Sequence, residues 1–414
     1  MQEKRMQYDV VIVGAGPVGL CLARAVAPLG LKVALVERQP RAALAEPAFD
    51  GREIALTHAS MRLLDELGVN GRIPAAEIHP LRQARVMDRD LAEAMVVRPH
   101  GGHDRLGNLV PNHLIRRAAW EAVQATPGIE LHDQARIGSL HAGADSAWVQ
   151  LQDGPRLQAR LLVAADSRFS ETRRALGIDA DLHDFGKSML VCRMRHEQPH
   201  HHVAWEWFGT GATRALLPLD EHLASAVLTL PGEQARALAA MDEAAFAAEV
   251  ERLFDGRLGR MELAGTRHVY PLVATWSRRF VGPRLALAGD AAVGMHPVTA
   301  HGFNLGLAGV ERLAAVLRIA VRQGRDPGDP ALLAMYQRRH RQGCWPLFQA
   351  TRAVVGLYTN DRPAARVLRA ATLRAGAALA PFRRLVAASL TDAGPVDASP
   401  LQRLRAGLSQ LRPS

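Results

Sequence analysis

The chain has 414 residues, 48% of them hydrophobic, so it can bury a large core, yet no run approaches the ~20 uninterrupted apolar residues of a membrane-spanning helix. Its start, Met1-Gln-Glu-Lys-Arg5, has neither an apolar signal core nor a small-residue cleavage site, which points to the cytoplasm. A net charge of +10 rests almost wholly on arginine, with Lys4, Lys32 and Lys187 the only lysines, and no nucleic-acid-binding motif accompanies it. Cys21, Cys192 and Cys344 are odd in number and far apart, so they read as reduced thiols and not as a disulfide framework.

The first element is an apolar strand, Tyr8 to Val13, running into Gly14-Ala-Gly-Pro-Val-Gly19. A helix over Pro17 to Leu29 and a second strand over Lys32 to Val36, closed by Glu37, complete the context that a nucleotide fingerprint requires. Gly14 permits the tight turn, Gly16 lets the backbone approach a pyrophosphate at the start of the helix opened by Pro17, and Gly19 lets helix and strand pack closely. Glu37, with Arg38 beside it, is placed to hold the adenosine ribose. Alone, this fingerprint does not separate FAD from NAD, and glycine-rich turns also arise for plain packing reasons.

Two later strands end in acidic motifs: Leu157 to Ala165 in Asp166-Ser-Arg-Phe-Ser170, and Arg284 to Ala288 in Gly289-Asp290. Ligands of open α/β sheets bind at such carboxyl ends. Together with the first fingerprint, these motifs point to FAD. Beyond them, a helix beginning near Gly302 would aim its positive end at the flavin's pyrimidine edge.

At these residues the sequence resembles the single-component flavoprotein aromatic hydroxylases, which share the para-hydroxybenzoate hydroxylase fold; the likeness spans most of residues 7 to 355. The resemblance implies an α/β fold in which an FAD-binding Rossmann domain is interrupted by a mostly antiparallel substrate sheet, with a C-terminal helical tail. It further implies that Asp166 serves both FAD and NAD(P)H, that Asp290 binds the ribityl chain, and that Arg52, Asn112 and Arg116 contact the flavin or its ribityl and phosphate groups. Ser167 stands where the family usually has glycine, so NAD(P)H as electron donor is less firmly implied than FAD. The segment from Ala288 to Leu307, containing His296-Pro297, Gly302 and Asn304, is similar to a signature of the ubiquinone-biosynthesis hydroxylases, with Ala300-His301 replacing Gly-Gln. Ala204-Trp-Glu-Trp-Phe208 followed by Ala215-Leu-Leu-Pro-Leu219 is similar to their substrate-domain strand pair. The departures at Ala300, His301, Ser167 and Lys187 resemble the UbiM-like branch, the 5-demethoxyubiquinol hydroxylases.

The implied activity is hydroxylation of the aromatic ring of a polyprenylated phenol or quinol, through a flavin C4a-hydroperoxide formed with O2. Pro297 and the backbone after it are expected to line the flavin edge. His301 is a candidate to hydrogen-bond the flavin or assist phenol deprotonation, and Glu206, if it faces the pocket, is a second candidate for deprotonation. Three other readings stay open: a hydroxylase of another aromatic substrate, a flavin-dependent isoprenoid reductase, and a non-catalytic flavoprotein subunit of a biosynthetic complex.

Residues 1–78, 101–178 and 276–355 carry the flavin motifs, while 79–100 and 179–275 carry the strand signals of a substrate sheet, among them Ser188 to Met194, His202 to Phe208 and Ser225 to Leu230. Residues 356–414 form a basic, amphipathic tail. Residues 351–414 hold ten arginines against Asp361, Asp392 and Asp397, a composition suited to a packed helical layer, to an anionic membrane surface, or to both. Three motifs have simpler readings. Gly209-Thr-Gly-Ala-Thr-Arg214 lacks a third glycine and reads as a hairpin turn; His200-His-His202, with His196 nearby, reads as a polar turn without a metal; Trp205 and Trp207 are expected to line or brace an aromatic pocket.

Overall fold

The structure is a computed structural model that describes residues 5–88, 95–99, 102–209, 212–296 and 301–358. At its centre the strand Arg5–Val13 runs parallel to Val33–Val36 on one side and to Arg156–Ala164 on the other. Ile129–His132 and Leu285–Leu287 extend this sheet outward, also in parallel. Every residue of Val33–Val36 is buried, as expected of a strand covered on both faces. One face packs against the helices Pro17–Val26, Asn112–Gln124 and Gly302–Arg322, through Leu20, Ile115 and Val310. The other is covered by the antiparallel pair Ile137–Ala142 and Ala147–Leu151 and by Trp276, Phe280 and Val293.

A second, nearly all-antiparallel sheet is threaded through the first. Its spine is the 17-residue strand Ala180–His196, flanked by His268–Ser277 and Leu223–Pro231. Ala212–Pro218 and Val203–Gly209 follow, and then Gln83–Asp88, which runs parallel, and Met95–Val97. The last pair of the Val203–Gly209 and Ala212–Pro218 strands is Gly209 with Ala212, while residues 210 and 211 of the Gly209–Arg214 stretch lie outside the described residues. A third sheet, Glu53–Leu56, Gly107–Pro111 and His79–Leu81, lies beside them.

The sheets cut the chain slightly differently from the boundaries read from sequence. His79–Leu81 joins the three-stranded sheet and not the substrate sheet, and Val293–Gly294 crosses back to pair with Thr275 and Trp276. Of the basic tail at 356–414, residues 359–414 lie outside the described residues.

Strand alternation decides which side chains meet the site. Glu206 faces one side of its strand and Trp205 and Trp207 the other. The indoles pack beneath the helices Gly232–Ala239 and Glu243–Leu253, with Trp207 5.3 Å from Phe254 between ring centroids. Of the two roles expected for them, they take the bracing one: they support the back of the sheet, and neither lines the cavity on its front.

Candidate functional site

Between the carboxyl ends of the parallel strands and the front of the second sheet lies a cavity of about 1280 Å³. Its wall is built first from the glycine turn. Gly14 sits at φ +105°, where a Cβ would come 2.5 Å from the Ala165 carbonyl oxygen, and a Cβ on Gly19 would come 2.0 Å from the Gly14 oxygen. Both positions therefore require glycine for the fold. Gly16 differs: its backbone is ordinary, and a Cβ there meets nothing within 4 Å. It borders open cavity. No side chain caps the helix that starts at Pro17, so its first amides are free for an anionic group.

Glu37 ends the second strand at the same rim. Its Oε2 accepts from the Ala15 N–H at 2.8 Å and its Oε1 from the Gln39 N–H at 2.9 Å, which fixes the carboxylate while leaving lone pairs for ribose hydroxyls. Glu37→Ala is accordingly expected to weaken FAD retention about tenfold or more, with the fold kept; equilibrium dialysis of FAD against the variant checks this. Arg38 lines the same rim, and Arg116 donates to Gln39 Oε1 at 3.4 Å.

Arg52 and Asn112 are joined through one carboxylate. Arg52 reaches Asp50 Oδ2 at 2.6 Å, Asn112 donates to the same oxygen at 2.7 Å, and the Tyr270 hydroxyl donates to the Asp50 carbonyl at 2.8 Å. Burial alone would raise the Asp50 carboxyl, but the Arg52 guanidinium and Asn112 hold it below its ordinary value. The result is a preformed polar corner with an ionised acid at its centre.

Asp166 lines the cavity at its strand end, and its carboxylate also braces the following turn, receiving the Ser170 hydroxyl and the Thr172 N–H. Ser167 takes φ +108°, a conformation that favours glycine, with its hydroxyl accepting from the Phe169 N–H at 3.3 Å. Asp290 is held from the side by Arg168, whose Nη2 donates to Asp290 Oδ2 at 2.9 Å and whose Nη1 donates to the Val273 carbonyl at 3.0 Å. Arg173, 2% exposed, donates to the carbonyls of Arg168 and Ala291. The two acidic motifs are thus bolted together by Arg168 and Arg173, two residues to which no motif in the sequence assigns a role. Their one local signal is position, both falling within seven residues after Asp166.

Gly302 opens the 21-residue helix Gly302–Arg322. A Cβ on Gly302 meets nothing within 4 Å, and no side chain caps this helix either. Two uncapped helix starts therefore face one cavity. His301 holds the N-cap position, buried, and is not itself in the cavity wall. Asn304 is turned away from it: its amide donates to the Ala55 carbonyl and accepts from the Thr57 N–H, tying this helix to the Glu53–Leu56 strand. Gly19 is likewise beneath the wall and not in it. Pro297 lies outside the described residues. His296 packs edge-on to Phe185 at 4.7 Å, and burial pushes its imidazole down to about 4, so it is neutral near pH 7.

On the front of the second sheet, Glu206, Thr213, Ala215, Val227 and Met189 line the cavity. The histidines at 196, 200 and 222 lie elsewhere: His196 bonds the Gln198 carbonyl of its own turn, while His200 and His222 bond the carbonyls of Leu223 and His196 and so tie two turns together.

Residues 7–351 match the family of FAD binding domains. The chain belongs to this family of FAD-dependent monooxygenases. Over 391 residues it is 44% identical to the ubiquinone hydroxylase UbiM of Neisseria meningitidis, covering 93% of this chain and 85% of that protein. It is 35% identical to the ubiquinone hydroxylase UbiL of Rhodospirillum rubrum, covering 91% and 88%. The p-nitrophenol 4-monooxygenase PnpA of Pseudomonas putida, only 18% identical, superposes with a TM-score of 0.74 over 94% of this chain and 99% of its own, which shows the fold they share. The cavity suits the group that gives the family its name: open glycines at two uncapped helix starts, the Glu37 carboxylate fixed by two backbone N–H groups, and Asp166 and Asp290 in the wall. No helix among the described residues is long and apolar enough to cross a membrane.

Proposed function

We propose that the protein hydroxylates the aromatic ring of a polyprenylated phenol or quinol in ubiquinone biosynthesis, with FAD as its cofactor and O2 as cosubstrate. The observation that carries this reading is a cavity shared by two walls: the inner one gathers the three cofactor motifs, and the outer one is an antiparallel sheet of mostly small and apolar side chains on which a ring can lie flat. The names of its relatives supply the pathway.

Bound FAD, once reduced, supplies the two electrons and the O2 activation that insert one oxygen atom into the ring. The chain's own residues bind, orient and exclude water. Gly14, Gly16 and Pro17 bring backbone amides to the pyrophosphate, and Glu37 with Arg38 holds the adenosine end. Arg52 and Asn112 supply the polar corner and Arg116 stands at the rim beside Gln39, while Asp290 takes the ribityl side and Asp166 serves both FAD and NAD(P)H, with Gly302 presenting uncapped amides to the flavin's pyrimidine edge. Asn304 sets the pitch of that helix from behind. Pro297 is assigned to the flavin edge by its motif alone, and His301 to a hydrogen bond with the flavin from the N-cap of that helix. NAD(P)H as electron donor, and peripheral attachment of the basic tail to the inner face of the cytoplasmic membrane, belong to the same proposal.

In a ubiquinone-deficient bacterium lacking one ring hydroxylase, this chain is expected to restore quinone, with ¹⁸O from O2 entering the ring. Failure to rescue any of the ring-hydroxylation defects, in protein that carries its full FAD, would remove the ubiquinone assignment. Oxygen uptake without ring labelling would favour a different aromatic substrate, and no uptake by the reduced protein would favour a reductase or a non-catalytic flavoprotein subunit.

A further inference from the structure

The substrate-facing wall carries one acid. Across the second sheet, Glu206 stands in register with Val86 on one side and with Ala215 and Val227 on the other. Its carboxylate therefore projects from a row of small apolar neighbours into the cavity. Among the described residues it has no hydrogen-bonding partner and no ion pair, whereas Asp50, Asp166 and Asp290 are each held by two or more donors or an arginine.

An unpartnered carboxylate in such a place needs a reason, because burying it costs stability that an apolar side chain would not. No fold requirement is visible: Glu206 joins no helix cap, turn or sheet contact besides its own ladder. On the two adjoining strands, Asp88, paired with Phe208, shares this face but is not in the cavity wall, and the arginines point elsewhere. Arg214 is paired with Trp207 and Arg85 with Trp205, so alternation sends both to the helix-covered face. From the Leu223–Pro231 strand the neighbours are Val227, Ser225 and Thr229, none of them charged. What faces Glu206 is the space where a ring would lie.

We propose that Glu206 is the proton acceptor for the ring hydroxyl of the bound substrate, an assignment that rests on the hydroxylase reading above. The step balances as follows. The O–H bond of the ring hydroxyl breaks and its proton passes to the Glu206 carboxylate, while the released electron pair enters the ring. The ring carbon ortho or para to that oxygen forms its new C–O bond with one atom of O2, which arrives bearing a proton as a hydroxyl, and the other atom leaves as hydroxide, the two electrons and the two protons that these oxygens carry coming from reduced flavin. The ring then loses the proton of the substituted carbon, which converts the hydroxide to water, and regains aromaticity as Glu206 returns the proton to the original oxygen. The carboxylate ends as it began. Burial has pushed its pKa up to about 8, closer to that of a phenol than an exposed glutamate, which favours proton transfer in both directions.

The test compares binding and not turnover alone. Parent and Glu206→Gln proteins, both loaded with FAD, are titrated with a short-chain 2-alkylphenol and with its methyl ether, following the flavin absorbance. As pH rises from 6 to 9 the acid ionises and becomes an acceptor, so the parent's preference for phenol over ether is expected to grow about tenfold, the order of a charge-assisted hydrogen bond. Glu206→Gln should show a preference that does not change with pH and a hydroxylation rate that no longer climbs toward pH 8. Glu206→Asp, which keeps a carboxylate one methylene further back, should recover part of the pH slope and guards against a fold defect in the glutamine variant. A Glu206→Gln protein that discriminates as the parent does, with the same pH slope, overturns the assignment and leaves the hydroxylase reading standing. A parent that binds neither compound while holding FAD overturns both.

Discussion

Gly16→Val is expected to yield a folded protein that does not hold FAD. The backbone at Gly16, with φ −67° and ψ 173°, suits any residue, and the volume beside it is open cavity. An isopropyl group would fill the approach to the uncapped amides of the Pro17–Val26 helix, and flavin affinity should fall by more than about a hundredfold, or ~2.7 kcal/mol. Circular dichroism should be unchanged while the flavin absorbance of the purified protein disappears. Gly19→Val is the contrasting case, because its Cβ would lie 2.0 Å from the Gly14 oxygen. There flavin should be lost because the strand-to-helix contact is lost, with a falling Tm as the sign. A Gly16→Val protein that stays yellow would move the pyrophosphate to another part of the cavity.

Asp290→Ala should cost roughly ten- to a hundredfold in FAD affinity, the span of a hydrogen bond to a charged acceptor. Part of the loss is direct, through the ribityl hydroxyl, and part comes from Arg168, which would keep its bond to the Val273 carbonyl but lose its carboxylate in a half-buried setting. Two acids nearby in sequence serve as controls. Asp326 pairs with Arg284 and Asp329 with Arg325, and neither reaches the cavity wall. Fluorescence titration of apo-protein with FAD should show loss for Asp290→Ala and parental affinity for Asp326→Ala and Asp329→Ala; equal behaviour of the three would refute the role given to Asp290.

The flavin half was legible because its residues are dictated by local geometry. Gly14 and Gly19 are forced by contacts a few residues away or by one adjacent strand, and Glu37 follows from where the second strand must end. Asn304 was legible as a motif residue but not as to its task, since its partners Ala55 and Thr57 lie some 250 residues earlier in the chain and nothing local announces them. Arg168 and Arg173 were hidden for the same reason: their acceptors are on strands and turns more than a hundred residues away. The substrate wall was half-legible. Period-two alternation already separates Glu206 from Trp205 and Trp207, but which face meets the cavity depends on where the Gly232–Ala239 and Glu243–Leu253 helices dock. The apolar side of those helices claims the indoles and leaves the acid in front.

The threading of the chain sets the order in which this protein can become itself. The cradle takes its first piece from Gly14 and its last from Gly302, and the closing bonds span 220 residues between Tyr270 and Asp50 and 247 between Asn304 and Thr57. A nascent chain on the ribosome holds the glycine turn early but cannot assemble the nucleotide's berth until the final third has emerged. Contacts so distant in sequence form slowly, and partly folded chains expose apolar strands meanwhile. Cofactor capture is therefore a late event in biogenesis, and because the fold is expected to persist without its cofactor, scarcity of flavin during synthesis would leave finished chains that are empty but able to take up FAD supplied afterwards.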